Sequence, residues 1–329
     1  MDGVLVVDKP KGPTSHDVVA RVRRALGTRR VGHAGTLDPM ASGVLVVLVG
    51  EGTKLAPFLT AHDKRYDARV VLGSATDTLD AEGTITGEAP LPGWLVEEIE
   101  RLATGGPAPR IEAALAAERA RTQQTPPAFS AIKVAGQKSY DRARRGEEVE
   151  LADRPVEVAH LEARAAGFDD DRTRAFLDVS LAVSKGYYVR SLARDLGAAL
   201  STPAHLGALR RTQSGPFGLD RACALSADRQ ALAAAVVPLA TAAASSLSAA
   251  HLTAEGVLRA SQGKRLGLPD FGDAPPDTDA PFAWLSPNGR LVAVGNREGD
   301  GYIVLRGFVE SLVPGEPRGS GEDELTRRV

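Results

Sequence analysis

A single carboxylate stands in a glycine-flanked turn near the start of the chain. Asp38 belongs to the run Gly32-His33-Ala34-Gly35-Thr36-Leu37-Asp38-Pro39, and the apolar run Val44–Val49 follows it. Catalytic groups often lie on loops held by a rigid scaffold, and glycine lets a ligand approach the backbone closely. The pattern therefore marks Asp38 as a candidate catalytic residue. The alternative is an Asx turn, in which the Asp38 side chain caps its own loop.

Further blocks of the same kind follow in order over roughly two thirds of the chain, and several ordered motifs are far more specific than one short motif. They are Gly3–Ser15, Gly32–Leu45 with Lys64-Arg65-Tyr66, Gln124–Lys133, Ser184–Leu192 and Leu206–Thr212. Together they resemble the bacterial tRNA pseudouridine-55 synthases, the TruB family. The resemblance implies an α+β pseudouridine synthase fold. Such a fold has a central mixed, largely antiparallel sheet flanked by helices and a small C-terminal PUA-like β-barrel.

The resemblance also implies a reaction, the isomerisation of uridine 55 in the T loop of tRNA to pseudouridine. The base must be flipped out, detached, turned and rejoined through C5. By resemblance Asp38 is the nucleophile, and attack on C1′ of the ribose or on C6 of the uracil stays open. Arg190 matches the arginine whose planar fork keeps this carboxylate charged in a closed pocket. Tyr66 matches the tyrosine that stacks on the uracil and could help to remove the C5 proton.

The resemblance assigns substrate contacts and structural support to a second group of residues. Tyr188 and Leu209 match the lining of the uridine pocket beside Tyr66, and His33 matches a histidine that stacks where flipped bases were. The residues matched to structural support are Lys9 and Pro10, which would brace the Asp38 loop, and Gly186, which would give backbone clearance. Each has a plainer alternative: the tyrosines and Leu209 as core residues, His33 as a turn residue, Arg190 as a structural ion pair.

The net charge of −2, from 40 Lys and Arg against 42 Asp and Glu, conceals a segregated distribution. Residues 1–35 carry seven basic and three acidic residues, and residues 119–145 carry seven and one. Such segregation can build a basic face for phosphates on a nearly neutral chain. The candidates for RNA backbone contacts are Arg29, Arg30, Lys133, Arg144 and Arg145. The alternative is that these charges are ordinary solvated helix faces.

Composition limits the compartment and the cofactors. No apolar run approaches the roughly 20 residues that span a bilayer. The start, Met1-Asp2-Gly3, lacks the basic segment of a signal peptide, and a single cysteine, Cys223, excludes an internal disulfide and a cysteine-based zinc cluster. We expect a cytoplasmic monomer without metal, small-molecule cofactor or membrane contact. Its expected partner, by the resemblance, is the T stem-loop of tRNA.

Periodicity predicts the elements that position these residues. The runs typical of strands are Val4–Val7, Val44–Val49, Ala68–Leu72 and Phe176–Val183. A helix is predicted from Ser15, which can cap it, to Gly27, which ends it. Further helices are predicted over Trp94–Leu102, Glu112–Ala120 and Ser191–Leu200.

The Ala- and Ser-rich stretch Ala231–Ala250, interrupted by Pro238, indicates a domain boundary. Beyond it, four short runs predict strands, with a turn at Asn288-Gly289: Val257-Leu258, Phe282–Leu285, Leu291–Val294 and Tyr302–Leu305. We therefore expect a catalytic domain over 1–248, with an inserted RNA-contacting thumb around 105–150, and a PUA-like RNA-binding domain over 249–313. The segment Gly267–Pro281 is expected to be a mobile loop and 314–329 a disordered tail. A chain ending near residue 248 is expected to fold and to keep some catalysis.

Two features depart from the family pattern. Tyr187 stands where the family usually carries Thr, and the segment 107–120 is an addition to the family pattern.

Two other classes of protein share parts of this pattern. A non-catalytic tRNA-binding or RNA-folding protein would have no use for Asp38 together with Arg190. A phosphate-handling enzyme, suggested by the glycines near Lys9 and Lys11, lacks a Gly-x-x-x-x-Gly-Lys-[Ser/Thr] loop.

Overall fold

The innermost strands are apolar at successive positions because both faces of their sheet are covered. In the computed structural model, which describes residues 1–130, 132–134, 137–143, 145, 147 and 151–308, Leu5 and Val7 face one apolar cluster. Val4 and Val6 face a second cluster on the opposite side. The same alternation runs through Val44–Val49. Two cores therefore share one sheet.

The elements bear out most of the predicted periodicity. The helices are α1 (Ser15–Leu26), α2 (Ala56–Thr60), α3 (Gly93–Ala103), α4 (Pro109–Arg119), α5 (Ser139–Ala143), α6 (Val189–Ala199), α7 (Arg229–Ala234), α8 (Leu239–Ser246) and α9 (Ala254–Ser261). The strands are β1 (Gly3–Lys9), β2 (Val31–Ala34), β3 (Ser42–Val49), β4 (Lys64–Leu72), β5 (Ser74–Thr76), β6 (Ile85–Glu88), β7 (Gln123–Gln124), β8 (Lys133–Val134), β9 (Gln137–Lys138), β10 (Arg154–Pro155), β11 (Val158–Phe168), β12 (Ala175–Val183), β13 (Ala204–Ser214), β14 (Phe217–Gly218), β15 (Cys223–Ala224), β16 (Val237–Pro238), β17 (Ala249–His251), β18 (Phe282–Leu285), β19 (Leu291–Glu298) and β20 (Gly301–Gly307).

The main sheet has the strand order β11-β12-β4-β13-β3-β1-β15, with β2, β14 and β16 paired to its members. Two of its pairings, β3 with β13 and β1 with β15, are parallel, and the others are antiparallel. Helices α1, α3, α4 and α6 bury their apolar residues in the first cluster. This is the mixed, largely antiparallel sheet flanked by helices that the resemblance implies.

Helix α1 is capped by a different residue from the one predicted. Thr14, not Ser15, is its N-cap: Thr14 Oγ1 accepts from the Asp17 backbone N–H at 3.1 Å, and the Asp17 carboxylate accepts from Thr14 N at 2.9 Å. The prediction that Ser15 caps the helix is therefore wrong. Gly27 ends the helix in the left-handed conformation, as predicted.

The C-terminal part is a four-stranded sheet, β17-β18-β19-β20, with α9 packed on it. The strand prediction for Val257-Leu258 is wrong, because Thr253 caps a helix there by accepting from the Gly256 N–H. The expectation of a mobile loop fails for the start of Gly267–Pro281. Phe271 is 7% exposed and packs edge-to-face on Tyr302, with ring centroids 4.9 Å apart.

The second apolar cluster continues across the expected boundary at residue 248. It joins β1 and β3 with α8 and then with Leu285, Leu291, Val294 and Phe308 of the C-terminal part. Lys54 adds a polar link, because its ammonium donates to the Gly307 carbonyl at 2.9 Å. The boundary itself stays a prediction.

Some of the predictions concern residues that the structure does not describe. These are Arg144, the side chain of Lys133 and the tail 314–329.

Candidate active site

The Asp38 carboxylate lies against the guanidinium of Arg190. Asp38 follows β2, and Arg190 lies in the first turn of α6; Arg190 Nε is 3.1 Å from Asp38 Oδ2. The Asp38 side chain is 37% exposed and that of Arg190 only 10%. Within the described residues, the carboxylate contacts Arg190 and accepts from no N–H of its own loop, which differs from an Asx turn. The Asp38 carboxylate is therefore accessible to a ligand, and the Arg190 guanidinium is held on its buried side.

Three further acceptors fix the Arg190 guanidinium. It donates to the carbonyls of Thr78 (3.1 Å) and Phe129 (2.9 Å), and its Nη1 lies 3.6 Å from Asp80 Oδ2. Asp80 is 8% exposed and is itself held by the Thr78 hydroxyl at 2.7 Å. Two carboxylates therefore share one buried guanidinium. The sequence carries no signal for Asp80, since nothing distinguishes it from other aspartates in turns.

Lys9 supports the Asp38 loop from the buried interior. It is fully buried at the end of β1, and its ammonium donates to the carbonyls of Pro10 (3.0 Å), Pro13 (2.8 Å) and Pro39 (3.3 Å). Burial lowers the pKa of Lys9, and the nearby Asp38 charge opposes that shift. The lysine thus ties the residue after Asp38 to the β1–α1 connection. Pro10 is exposed and contributes its carbonyl to this contact.

Arg211 and Ser15 hold the other side of the loop. Arg211, 1% exposed on β13, donates to the carbonyls of Gly35 (3.0 Å) and Thr36 (3.2 Å). The buried Ser15 hydroxyl pairs with both the N–H and the carbonyl of Leu37, each at 2.9 Å. Backbone groups on both sides of Asp38 are therefore fixed. The sequence predicts this role for neither residue, because the backbone groups they bind are offered by every residue type.

Lys64 lies beneath the same loop at the start of β4. It is 7% exposed, and its ammonium donates to the carbonyls of Thr60 (2.7 Å) and His62 (2.5 Å). Burial, reinforced by the positive charge of Arg211, lowers the pKa of Lys64 to about 8. The Asp38 loop is therefore held by hydrogen bonds from Lys9 and Arg211, with Lys64 buried close to them.

Two expected pocket residues lie on adjacent strands of the main sheet. Tyr66 on β4 is opposite Arg211 on β13, and Leu209 is opposite Ala68 two positions further along. Both side chains are partly buried against the first apolar cluster. Since Arg211 also binds the Asp38 loop, these strands and that loop meet at one end of the sheet.

Tyr188 is fixed through its backbone. The Gln124 side chain accepts from Tyr188 N at 2.8 Å and donates to Tyr188 O at 3.2 Å. Burial raises the pKa of the Tyr188 hydroxyl, while the charges of Arg154 and Arg190 oppose the shift. Gly186 precedes it with φ +86°, and a Cβ there would meet nothing within 4 Å. Glycine is required by conformation, so the expected backbone clearance is corrected.

His33 stands half-buried in β2, where its ring packs edge-to-face on His16 with centroids 5.5 Å apart. Burial lowers the pKa of His33, and His16 and Arg211 lower it further, so the imidazole is neutral near pH 7. Its buried Nδ1 has no hydrogen-bond partner among the described residues. A neutral, partly exposed ring of this kind can stack on a base.

The basic candidates for RNA phosphate contacts differ in whether they already form an ion pair within the protein. Arg29 is exposed and has no ion-pair partner in the described part of the chain. Arg30 Nη2 lies 2.5 Å from Glu51 Oε1, and Arg145 Nε lies 2.7 Å from Glu147 Oε1. Arg29 is therefore the more available cation for a phosphate.

No three His, Cys, Asp or Glu side chains converge as a metal site would require, as far as the described residues go. In the same part of the chain, no helix has both the length and the apolar composition needed to cross a bilayer.

The chain matches two family models over consecutive ranges. "TruB family pseudouridylate synthase (N terminal domain)" covers residues 23–189, and "tRNA pseudouridylate synthase B C-terminal domain" covers residues 190–257. The tRNA pseudouridine synthase B of Thermobifida fusca (strain YX) is 44% identical over 92% of this chain and 98% of the relative. That of Nocardia farcinica (strain IFM 10152) is 52% identical over 69% of this chain and 70% of the relative. The chain belongs to the TruB family.

It is thus a pseudouridine synthase, and solved structures agree on its fold. The archaeal box H/ACA sRNP Nop10-Cbf5 complex matches 93% of this chain and 86% of the solved chain, with a TM-score of 0.65 and 23% identity. An H/ACA RNP bound to a substrate RNA containing 2′-deoxyuridine matches 94% and 85%, with a TM-score of 0.63 and 22% identity. The two family models meet between residues 189 and 190. Asp38 and Arg190 therefore come from different matched regions, and the main sheet brings them together.

Proposed function

We propose that this TruB family member isomerises uridine 55 in the T loop of tRNA to pseudouridine, with Asp38 as the nucleophile. The observation that carries the proposal is the 3.1 Å contact between the accessible Asp38 carboxylate and the buried Arg190 guanidinium. A cation held in this way balances the charge of the nucleophile while RNA covers the site. The curated relatives, named tRNA pseudouridine synthase B, supply the substrate class.

The target base must leave its stack to reach Asp38, because the carboxylate lies in a loop braced by the sheet. Tyr66 would stack on the flipped uracil, and Tyr188 and Leu209 would line its pocket. His33 offers its neutral ring to the space that the flipped base leaves in the T loop. The energy of unstacking would be offset by these contacts.

The chemistry then needs one nucleophile and one fixed cation. Asp38 attacks an electron-poor carbon, C1′ of the ribose or C6 of the uracil, and the N1–C1′ bond breaks. The uracil turns, C5 bonds to C1′, the bond to Asp38 breaks and frees the carboxylate, and the C5 proton leaves with the help of Tyr66. When the Asp38 charge is consumed in a covalent bond, Asp80 still balances Arg190. The guanidinium therefore stays paired in each state of the cycle.

Binding beyond the T loop is assigned to the expected thumb around 105–150 and to the PUA-like domain over 249–313. Both would contact RNA phosphates, which adds affinity without taking part in chemistry. We propose that the protein works as a cytoplasmic monomer on the T stem-loop without a cofactor. Arg29, exposed and unpaired within the described residues, supports the phosphate contacts.

The nucleophile is tested by Asp38→Asn in a single-turnover assay on a T-arm stem-loop RNA, with pseudouridine mapped chemically. The amide keeps the shape but is no nucleophile, so we expect no conversion and an RNA affinity within about tenfold of the wild type. Asp178→Asn is the matched control, because it breaks another Asp–Arg pair, which joins β12 to Arg69 on β4 at 2.7 Å. Turnover by purified Asp38→Asn would contradict the proposed mechanism.

A further inference from the structure

Tyr187, a departure from the family pattern, makes a buried polar contact with another departure, the segment 107–120. Tyr187 lies between β12 and α6 and is 8% exposed. Its hydroxyl donates to Glu118 Oε1 at 2.8 Å. Glu118 stands in the last turn of α4 and is 2% exposed. A hydrogen bond to an ionised, buried acceptor is among the strong ones.

The contact continues into α6. Arg121 Nε donates to Glu118 Oε2 at 2.7 Å, and Arg121 Nη2 lies 3.5 Å from Asp195 Oδ2 on α6. Successive side-chain contacts therefore connect the segment before α6, through the end of α4, to α6 itself. The residues in this series are Tyr187, Glu118, Arg121 and Asp195. We call these four residues the α4–α6 network. Burial beside Glu118 raises the pKa of Tyr187, so its hydroxyl stays a donor.

The far end of α4 is also anchored. Glu98 on α3, 3% exposed, accepts from the backbone N–H groups of Arg110 (3.0 Å) and Ile111 (2.9 Å) in the first turn of α4. These are N–H groups that a helix cannot satisfy internally. Helix α4 is therefore fixed at both ends, to α3 by Glu98 and to the start of α6 by Glu118.

The segment that carries Tyr188 and Arg190 needs such outside support. Tyr188 is the N-cap of α6 without a side-chain capping bond, and Gly186 two residues earlier lies at φ +86°. Gln124 holds the Tyr188 backbone from one side. Tyr187, held by Glu118, supplies a second attachment. The threonine that the family usually carries at position 187 has a side chain several ångströms shorter. Only the longer tyrosine reaches Glu118 on α4, so the two departures from the family pattern form one contact.

We propose that the α4–α6 network is a positioning device, in which α4 holds Tyr187 and thereby sets Tyr188 and Arg190 against Asp38. Tyr187 and Glu118 are positioning residues that act through their neighbours. This rests on the proposed function, in which Arg190 pairs with the nucleophile. A displacement of about 1 Å at a reacting group can cost about a hundredfold in rate, so even a partial loosening is measurable.

The test removes one hydroxyl with Tyr187→Phe and keeps the ring. At saturating T-arm stem-loop RNA we expect the single-turnover rate to fall about tenfold, with RNA affinity within about twofold of the wild type. Amide hydrogen exchange at residues 188–192 should accelerate. Glu118→Gln should also slow turnover, and the double variant should lose less than the two effects added, because both act through one contact.

Tyr302→Phe is the matched control, since Tyr302 is 7% exposed in the C-terminal cluster and outside this network. It should leave the rate and the exchange of residues 188–192 unchanged. A Tyr187→Phe protein that melts earlier but keeps the wild-type rate would overturn the proposal. If Tyr187→Phe does not fold, the single-turnover rate and the amide exchange of residues 188–192 in Glu118→Gln test the proposal in the same way. If the wild type modifies no T-arm RNA, the proposed function fails, and unchanged exchange at 188–192 in Tyr187→Phe would separately overturn the network.

Discussion

Buried cations that donate to backbone carbonyls hold the loop on which Asp38 stands. Lys9 binds Pro39, and Arg211 binds Gly35 and Thr36. The resemblance to the TruB family predicts the pair Asp38 and Arg190, and the structure brings that pair together. Lys9 is expected as a brace of this loop, but Arg211 is not predicted, since its partners are main-chain atoms and carry no residue signature.

Lys64 gives this arrangement a measurable pH dependence. Its pKa is about 8 in the folded protein, below the ordinary value of 10.5. Between these two values the unfolded chain binds more protons, so the stability of the wild type rises with pH. Relative to Lys64→Met, the free energy of unfolding should increase by on the order of 3 kcal/mol from pH 8 to pH 10.5.

Urea denaturation of both proteins at several pH values measures this difference. Comparison with Lys64→Met cancels the titration of the other groups. Well below pH 8 Lys64 is protonated in both the folded and the unfolded protein, so the difference between the two proteins should be constant there. A difference that stays flat from pH 8 to pH 10.5 would show that Lys64 keeps its ordinary affinity for protons.

At the scale of elements, periodicity succeeds where an apolar pattern is long and fails where it is short. Helix α3 and strand β12 follow their predicted runs. Val257-Leu258 is too short to distinguish strand from helix, and the Thr253 cap decides for α9. The cap of α1 is Thr14 and not the predicted Ser15. Both residue types are good caps, so the sequence does not distinguish between these two neighbours.

Thr14 and Ser15 have similar side chains but different tasks, which makes them a matched pair. Thr14→Ala removes the cap of α1 and should cost about 1 kcal/mol of stability with little effect on turnover. Ser15→Ala leaves the Leu37 N–H and carbonyl without their partner and should cost about 1–3 kcal/mol. It should also slow turnover at saturating RNA, because Leu37 precedes Asp38. Urea denaturation and single-turnover rates measure both, and equal rates in the two variants would contradict a role for Ser15 at the loop.

At the scale of the whole molecule, the fold class follows from the resemblance, but the packing between its parts does not. Sequence composition marks a change near residue 248, and the chain there is indeed a short helix, α8, followed by the C-terminal sheet. Composition cannot show which residues pack together across that change. Leu285 and Val294 pack in the same cluster as Val4 and Val46 of the main sheet. Such contacts join distant parts of the sequence and leave no local signal.

Because this cluster is shared, we expect a chain that ends at residue 248 to behave differently from an independent domain. Removing Leu285, Leu291, Val294 and Phe308 exposes the apolar side of α8 and the residues beneath it. Burial of one such side chain is worth about 1.5–3 kcal/mol, and 1 kcal/mol shifts the melting temperature of a domain of this size by about 2–4 °C.

We therefore expect the full chain to unfold in one calorimetric transition and the chain 1–248 to melt at least about 5 °C lower, with a greater tendency to aggregate. Since Asp38, Tyr66, Arg190 and Leu209 all lie before residue 248, whatever fraction stays folded should still convert a short stem-loop RNA. A chain ending at Val313 is the matched control, because it keeps every described residue and should melt like the full chain. Two separate transitions in the full chain, together with an unchanged melting temperature for 1–248, would show that the two parts fold independently despite their common cluster.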